Sequence, residues 1–572
     1  MGRWRWVLLV GVVIVAGAAA ALLLDTPVAD RLEGEAAPDF SVPAVVPEWT
    51  TTTVGDSSPT GPDPSVTSLP VVATGAVLDD ELAEAFIYVD PVTGSDDNSG
   101  ETEADPFSTV GRALEAASVL RDDGKQVKVT LAPGSYRETV ELIQDPDDSP
   151  LLVIEAAEPG ATVVSGADLW TDWEWSEDDG AFVHSWPYGW GSAPDVEEIV
   201  GRREIVVIGG ERLQQVLSAR DLSAGSFFVD DASDRLLVVP PDGSSFSGLA
   251  AEVAVRERTL NLDSARNVVI RGITFQHAAN PFESSGVRIS NSRHVLFEHN
   301  RVVENSWTGL GLSTSESLTV RENVVNENGG GGVGMFQVHD VVFEGNDTSL
   351  NNWRGVQGDY VGWSIGGIKA VGVQQVAFIR HRAWWNSTRG LWLDYDVRDI
   401  TIEDSSWCHN LTDGLFVEAT PGPVWVAGVE ACENGRYGLL LVNVYGATIS
   451  DSVVCGNGDA QIHMNAERGG REIVSGDDVV VMSAARDLTL ERNLIAGDGL
   501  LLDVGIPQPD FLELLTTLTA GSNQWHSSGE ADAAFDFPGG GGSLADWQSA
   551  SGVDDDSTAE QITDVACESV TP

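Results

Sequence analysis

Short β-branched and aliphatic runs recur along the middle of the chain at a nearly constant interval. They read Val268-Val269-Ile270, Val295-Leu296-Phe297, Leu318-Thr319-Val320, Val341-Val342-Phe343, Val376-Ala377-Phe378, Ile400-Thr401-Ile402, Val424-Trp425-Val426 and Ala447-Thr448-Ile449. Between them come strands headed by Gly309, Gly332, Gly367, Gly390, Gly414 and Gly438, and corner asparagines at Asn305, Asn328, Asn351, Asn386, Asn410, Asn434 and Asn457. The asparagines are spaced by 23 or 24 residues, except from 351 to 386, where an insertion intervenes. A fixed period of this length means stacked structural repeats. Two or three short strands per turn, no helical period and Asn/Gly corners predict an all-β chain folded as a right-handed parallel β-helix. The corner asparagines bond within their own turn and to the next, a structural role.

Alternation within the glycine-headed strands sets which side chains point inward. Leu391 and Leu393, Leu415 and Val417, Leu439 and Leu441 fill the core. The alternate set then faces solvent: Lys369 and Val371, Trp392 and Asp394, Phe416 and Glu418, Leu440 and Val442. A slip of one residue would bury both acids and expose the leucines, so the register is well determined.

Before the rungs, Met1 to Trp6 carries Arg3 and Arg5 and leads into an apolar run from Val7 to Leu24, as in a signal peptide or membrane anchor. The chain is therefore read as 1–24 anchor, 25–80 Pro/Thr/Ser linker and 85–166 N-terminal cap and first rungs. There follow 167–258 as an inserted β-subdomain rich in tryptophan, 259–520 as the main rungs and 521–572 as a C-terminal capping segment. Capping helices are expected around Leu114 and at Leu544–Gln548, the latter after a flexible loop at Gly539–Gly542. The anchor and linker imply a membrane-anchored, extracytoplasmic protein or a secreted one.

Composition narrows the partners. The net charge is −56, and lysine occurs only at 125, 128 and 369. Such a surface repels nucleic acid and anionic lipid. Cys408, Cys432 and Cys455 each lie two residues before a corner asparagine and should stack on consecutive rungs. A rung-to-rung disulfide fits that spacing, with Cys567 pairing elsewhere, and so does a reduced ladder. No His/Cys cluster at zinc-ligand spacing is present, and no cofactor is called for.

Candidate chemistry centres on Asp394 and Glu418, which close equivalent strands 24 residues apart. Neighbouring rungs put the pair near the 5–5.5 Å carboxyl separation of retaining glycosidases, as an order of magnitude. Lys369, one rung below, would hold Asp394 ionised for nucleophilic attack. Phe416, Leu440 and Val442 give Glu418 the apolar flank of a general acid. Trp353, Arg354, Trp363, Trp392, Phe416 and Asp396 are read with Lys369 as substrate-binding residues. The tryptophans, with Trp385, serve equally as lid packing or as sugar-stacking platforms. Insertions at 352–364 and near 465–478 would wall the pair into a pocket. His409 is read as a corner residue. The Gly329–Gly334 run opens no helix and is no dinucleotide fingerprint.

The Trp392-Leu393-Asp394 and Leu415-Phe416-Val417-Glu418 strings, with Gly422-Pro423 following, resemble the paired motif of the β-helix β-xylosidase family. The similarity extends over roughly 85–560, through the Pro-Phe helix entry, the inserted subdomain and the Ala-Asp-Trp-Gln ending. It implies a pectin-lyase-like solenoid, Asp394 as nucleophile, Glu418 as acid/base, and a carbohydrate substrate derived from plant or algal polysaccharide. Two further readings stand beside it. A β-helix polysaccharide lyase would use calcium, with Asp394, Asp396 and Lys369 as its charged groups. A non-catalytic surface adhesin would have no pocket.

Overall fold

A computed structural model describes residues 69–563 and Cys567, apart from 80–81, 195, 242–250, 357–363 and 476–478. The anchor at 1–24, nearly all of the 25–80 linker and Trp363 lie outside the described residues. Among the described residues no helix is long and apolar enough to cross a membrane.

The repeat winds into a parallel solenoid with three faces. Two faces are 13-stranded sheets. The third begins and ends as sheets of four and six strands, joined through single bridges at Arg301↔Val324, Val324↔Asp347, Asp347↔Arg382 and Arg382↔Ser406. One continuous apolar core runs up the middle, from Ile87 and Val129 through Leu310, Phe343, Leu393 and Leu441 to Trp525 and Trp547. The inward residues expected on the glycine-headed strands are all in it.

The corner asparagines form a buried ladder. Each side-chain amide donates to the next carbonyl from Asn305 through Asn457, at 2.9–3.1 Å, and the series ends on Gln461. A second corner has its own bonds, Asn323 to Asn346 and Asn493 to Asn523. It escapes the sequence pattern because His381, Ser405 and Ser452 take up the same work on intermediate rungs.

Between the first rungs and the main stack, two small sheets of four and five strands pack around Trp186, Phe227, Val229, Leu236 and Val253, a core separate from the solenoid's. The helix Val110–Asp122 closes one end, with Thr109 accepting from the Arg112 N–H and Val110, Ala113 and Ala117 buried. At the other end, helix Leu544–Ser551 starts with a Ser543/Asp546 capping box and buries Trp547. The Gly539–Gly542 stretch is not a free loop. Gly540–Gly542 is a strand antiparallel to Phe535–Phe537, since a chain without side chains can lie flat against it. Helix Gln508–Leu515, within the rung region, has no sequence counterpart in the repeat. Cysteines 408, 432 and 455 stack in register, and two disulfides form, Cys408–Cys432 and Cys455–Cys567, so the reduced ladder is set aside.

Candidate active site

Lys369, Trp392, Phe416 and Leu440 pair in register across four neighbouring strands, Ile368–Val371, Leu391–Asp394, Leu415–Thr420 and Tyr437–Val444. Two positions on, the outward column carries Val371, Asp394, Glu418 and Val442. Val371 pairs with Asp394 and Glu418 with Val442, and the two acids follow directly on the Leu393↔Val417 pair. With rungs about 4.8 Å apart, the acids rise side by side from one face.

Outward-pointing does not mean solvent-facing here. Trp392 and Phe416 are only 3% and 7% exposed and form a small apolar cluster with Leu440, outside the solenoid core. Their rings stack at 5.3 Å. Lys369 Nζ lies 3.7 Å from the centre of the Trp392 ring and the Arg389 guanidinium 4.4 Å from it. Of the two uses weighed for Trp392, packing or sugar stacking, the burial of its ring against Phe416 and under Arg389 favours packing. Trp392 instead supports one of the acids, its indole N–H donating to Glu418 Oε2 at 3.1 Å.

The two acids live in unlike surroundings. Asp394 Oδ2 is 3.2 Å from Lys369 Nζ. Burial lowers the lysine from its usual range, opposed by the attraction of Asp394. Glu418 Oε1 accepts from Arg471 Nη1 at 2.7 Å. Burial first, and the negative charge of Asp394 second, push Glu418 up to about 7, against the pull of Arg471, Lys369 and Arg389. One acid is ion-paired with lysine; the other is poised to hold or release a proton near neutrality.

Arg389 and Arg471 were not singled out from the sequence. Arg389 is buried before the Leu391–Asp394 strand and bonds Asp413 at 3.1 Å. Arg471 sits on the hairpin Arg471–Ser475/Val479–Ser483, within the second insertion, whose place beside Glu418 was the available signal. Tyr395, next to Asp394, ties that hairpin down: its hydroxyl accepts from the Val474 N–H at 2.7 Å and donates to the Glu472 carbonyl at 3.4 Å.

Other expected substrate residues lie elsewhere. Trp353 packs beside Ile205, Val207 and Trp190, with Arg212 and Arg354 over its ring. Arg354 bonds the carbonyl and hydroxyl of Ser306 and reaches Gln215 and the Glu204 carbonyl, so it pins the inserted subdomain to the rungs. Desolvation lowers its guanidinium to about 10. Asp396, 8% exposed, is ion-paired with Arg398 at the next corner. Trp385 stacks on His409 at 4.2 Å, and His409 bonds Glu433. Among the described residues no group of three or more His, Cys, Asp or Glu could hold a metal ion.

Residues 244–364 and 285–480 match the family described as a right handed beta helix region. The solenoid is a right-handed parallel β-helix. The structure of XylC in complex with xylose is similar, with 15% identity and a TM-score of 0.63 over 83% of this chain and 86% of that one. The A-module of the Azotobacter vinelandii mannuronan C-5 epimerase AlgE6 aligns at 15% identity and a TM-score of 0.42, over 72% of this chain and 84% of that one. A structure described as a glycoside hydrolase aligns at 12% identity and 0.42, over 77% and 96%. No curated protein matches the chain. At such identities the β-helix similarity speaks for the fold alone, and the chemistry has to be argued from the residues.

Proposed function

We propose that this chain is a retaining glycoside hydrolase acting on oligosaccharides from plant or algal polysaccharide, with Asp394 as nucleophile and Glu418 as general acid and base. The carrying observation is the split between two adjacent carboxylates. Asp394 is paired with an ammonium, while Glu418 is pushed up to about 7 by burial and by its neighbour. A carboxyl lifted by its surroundings beside one paired with a cation is the signature of divided acid and nucleophile roles. Their places on adjacent rungs, about 4.8 Å apart, support a retaining pair over the wider gap that admits a water.

In this reading Asp394 attacks the anomeric carbon while Glu418 passes its proton to the departing oxygen. Water then attacks the same carbon, Glu418 takes its proton, and Asp394 leaves, with two inversions giving net retention. The apolar cluster of Trp392, Phe416 and Leu440 keeps water from the back of the acid, and Trp392 fixes its rotamer through the indole N–H. Two disulfides and the apolar run at 7–24 support action outside the cytoplasm, tethered or secreted. XylC, which shares the fold, was solved with xylose, so xylosides lead the substrate panel.

A second reading draws on the three cations, Lys369, Arg389 and Arg471, grouped around the acids. They would also suit a uronate, whose carboxylate they would neutralise while a neighbouring base removes the adjacent proton, as in a polysaccharide lyase. The calcium bridge of that scheme finds no ligand cluster among the described residues, Asp396 being turned to Arg398.

Proton NMR of the first-formed product from a panel of aryl glycosides and uronate oligosaccharides separates them. A hydrolysed sugar of retained configuration is expected. An unsaturated sugar would favour the lyase, and an inverted one would end the retaining scheme.

A further inference from the structure

Both oxygens of Glu418 are occupied by donors. Oε2 holds the Trp392 indole, which sits in the buried cluster. Oε1 holds Arg471, which comes from a hairpin laid over the site. With an indole N–H at one oxygen and a guanidinium at the other, the group is held as an acceptor, and a proton on Oε1 competes with Arg471 for that oxygen. Trp392 is fixed by its stacking; Arg471 is the donor with somewhere else to go. Its Nε lies 4.0 Å from Glu467, a half-exposed carboxylate that accepts from the Asn443 side-chain amide at 3.4 Å. The guanidinium thus stands between two carboxylates, one in the site and one at its rim.

We infer that Arg471 is a positioning residue that occupies the proton-donating oxygen of Glu418 when no leaving group is bound and yields it to the leaving-group oxygen. This rests on the retaining reading above. On binding, the leaving-group oxygen takes the place of Arg471 at Oε1, and the guanidinium moves toward Glu467. With its cation withdrawn, Glu418 holds its proton and gives it to the glycosidic oxygen as the bond to the anomeric carbon breaks and Asp394 forms its own. The alcohol departs, and the new Glu418 carboxylate draws Arg471 back. Held ionised, it then accepts the proton of the attacking water while the bond to Asp394 breaks. The sum is glycoside plus water giving hemiacetal plus alcohol. The hairpin therefore roofs the leaving-group side of the site, and Tyr395 couples its position to the strand that carries Asp394.

The groups facing Glu418 are Asp394 from the rung below, Lys369 and Arg389 behind the aromatics, and Arg471 from the hairpin. Of these four, only Arg471 is on an element free of the rung stack, so its removal gives a directed test. The basic limb of the kcat/KM profile reports Glu418 protonated in the free enzyme. Arg471→Met should move that limb up by roughly one pH unit, and Arg471→Lys by less. Glu467→Gln should move it down, because Arg471 loses its alternative partner. On a dinitrophenyl glycoside, which needs no acid in the first step, Arg471→Met should also raise the acidic limb of kcat, since deglycosylation needs Glu418 ionised. A structural role alone would lower rates without moving either limb. Unmoved limbs, or a shift of the same sign in Arg471→Met and Glu467→Gln, would overturn the inference while leaving the retaining reading intact. A wild-type chain that turns over no glycoside would remove both.

Discussion

Along the outward column of one 13-stranded sheet, Glu155, Arg271, Glu298 and Arg321 alternate in sign from rung to rung. In the other, Asp394 and Glu418 stand next to each other. Spacing and backbone are the same in both, so the difference lies in the side chains alone. Glu298, 1% exposed, is bonded by an arginine from the rung on either side, and Lys128 bonds Glu155 at the start of the column. Every charge in that ladder has an opposite neighbour. In the candidate site the like charges are adjacent, and their cations come from other columns and other elements: Lys369 two positions along, Arg389 before the strand, Arg471 from an insertion. A β-helix stacks charges cheaply when signs alternate. Where they do not, the conflict is stored as a raised proton affinity on one partner, which a structural ladder has no use for.

If this contrast is functional, breaking the like-charged pair should abolish turnover. Asp394→Ala is expected to have the largest effect, a loss of activity beyond the 10⁴-fold upper range, roughly, of acid–base effects, because the described residues of that face offer no second nucleophile. Steady-state rates on aryl glycosides check it. Glu418→Ala should cost about 10²–10⁴-fold on glycosides with poor leaving groups and far less on good ones, since those leave without a proton. Added azide should restore that variant by attacking the intermediate, with retained configuration. Lys369→Met, which removes the ammonium beside Asp394 and over Trp392, should cost roughly 10–100-fold, on the scale of a lost charged hydrogen bond.

Stability should run the other way in the two columns. Glu298→Gln leaves activity untouched and should lower stability by roughly 1–3 kcal/mol in denaturant titration, since its arginines are only partly buried. Glu418→Gln should stabilise instead, and by an amount that depends on pH. A carboxyl raised from 4.5 to about 7 in the fold contributes stability fully below the lower value and loses it as pH rises through the upper one. The gain in Tm of Glu418→Gln over wild type should therefore be smallest near pH 4.5, grow toward pH 7 and level off above it. A gain that shrank over that window would mean that Glu418 is an ordinary ion-paired surface acid.

Much of this was legible in the sequence because a β-helix converts period directly into position. The asparagine and glycine series locate the rungs, and alternation along Leu391–Asp394 and Leu415–Val417 puts the leucines inside and both acids outside. The sequence pattern cannot say what covers an outward side chain. Trp392 and Phe416 were read as open because alternation distinguishes core from exterior, not exterior from solvent. Arg471 escaped for a related reason: it belongs to an insertion outside the repeat, and no period carries it to Glu418. Arg354 and Trp353 were placed at the pocket by the same insertion logic, which carries no information on the inserted subdomain their side chains pack against.

The central claim is that the like-charged pair works as nucleophile and acid/base. Incubation with a 2-deoxy-2-fluoro glycoside carrying a good leaving group, followed by intact mass and peptide mapping, tests it most directly. The fluorine slows release of the intermediate, so one sugar per chain should remain, attached at Asp394 and absent from Asp394→Ala. Hydrolysis of ordinary glycosides with no adduct at Asp394 would contradict the account.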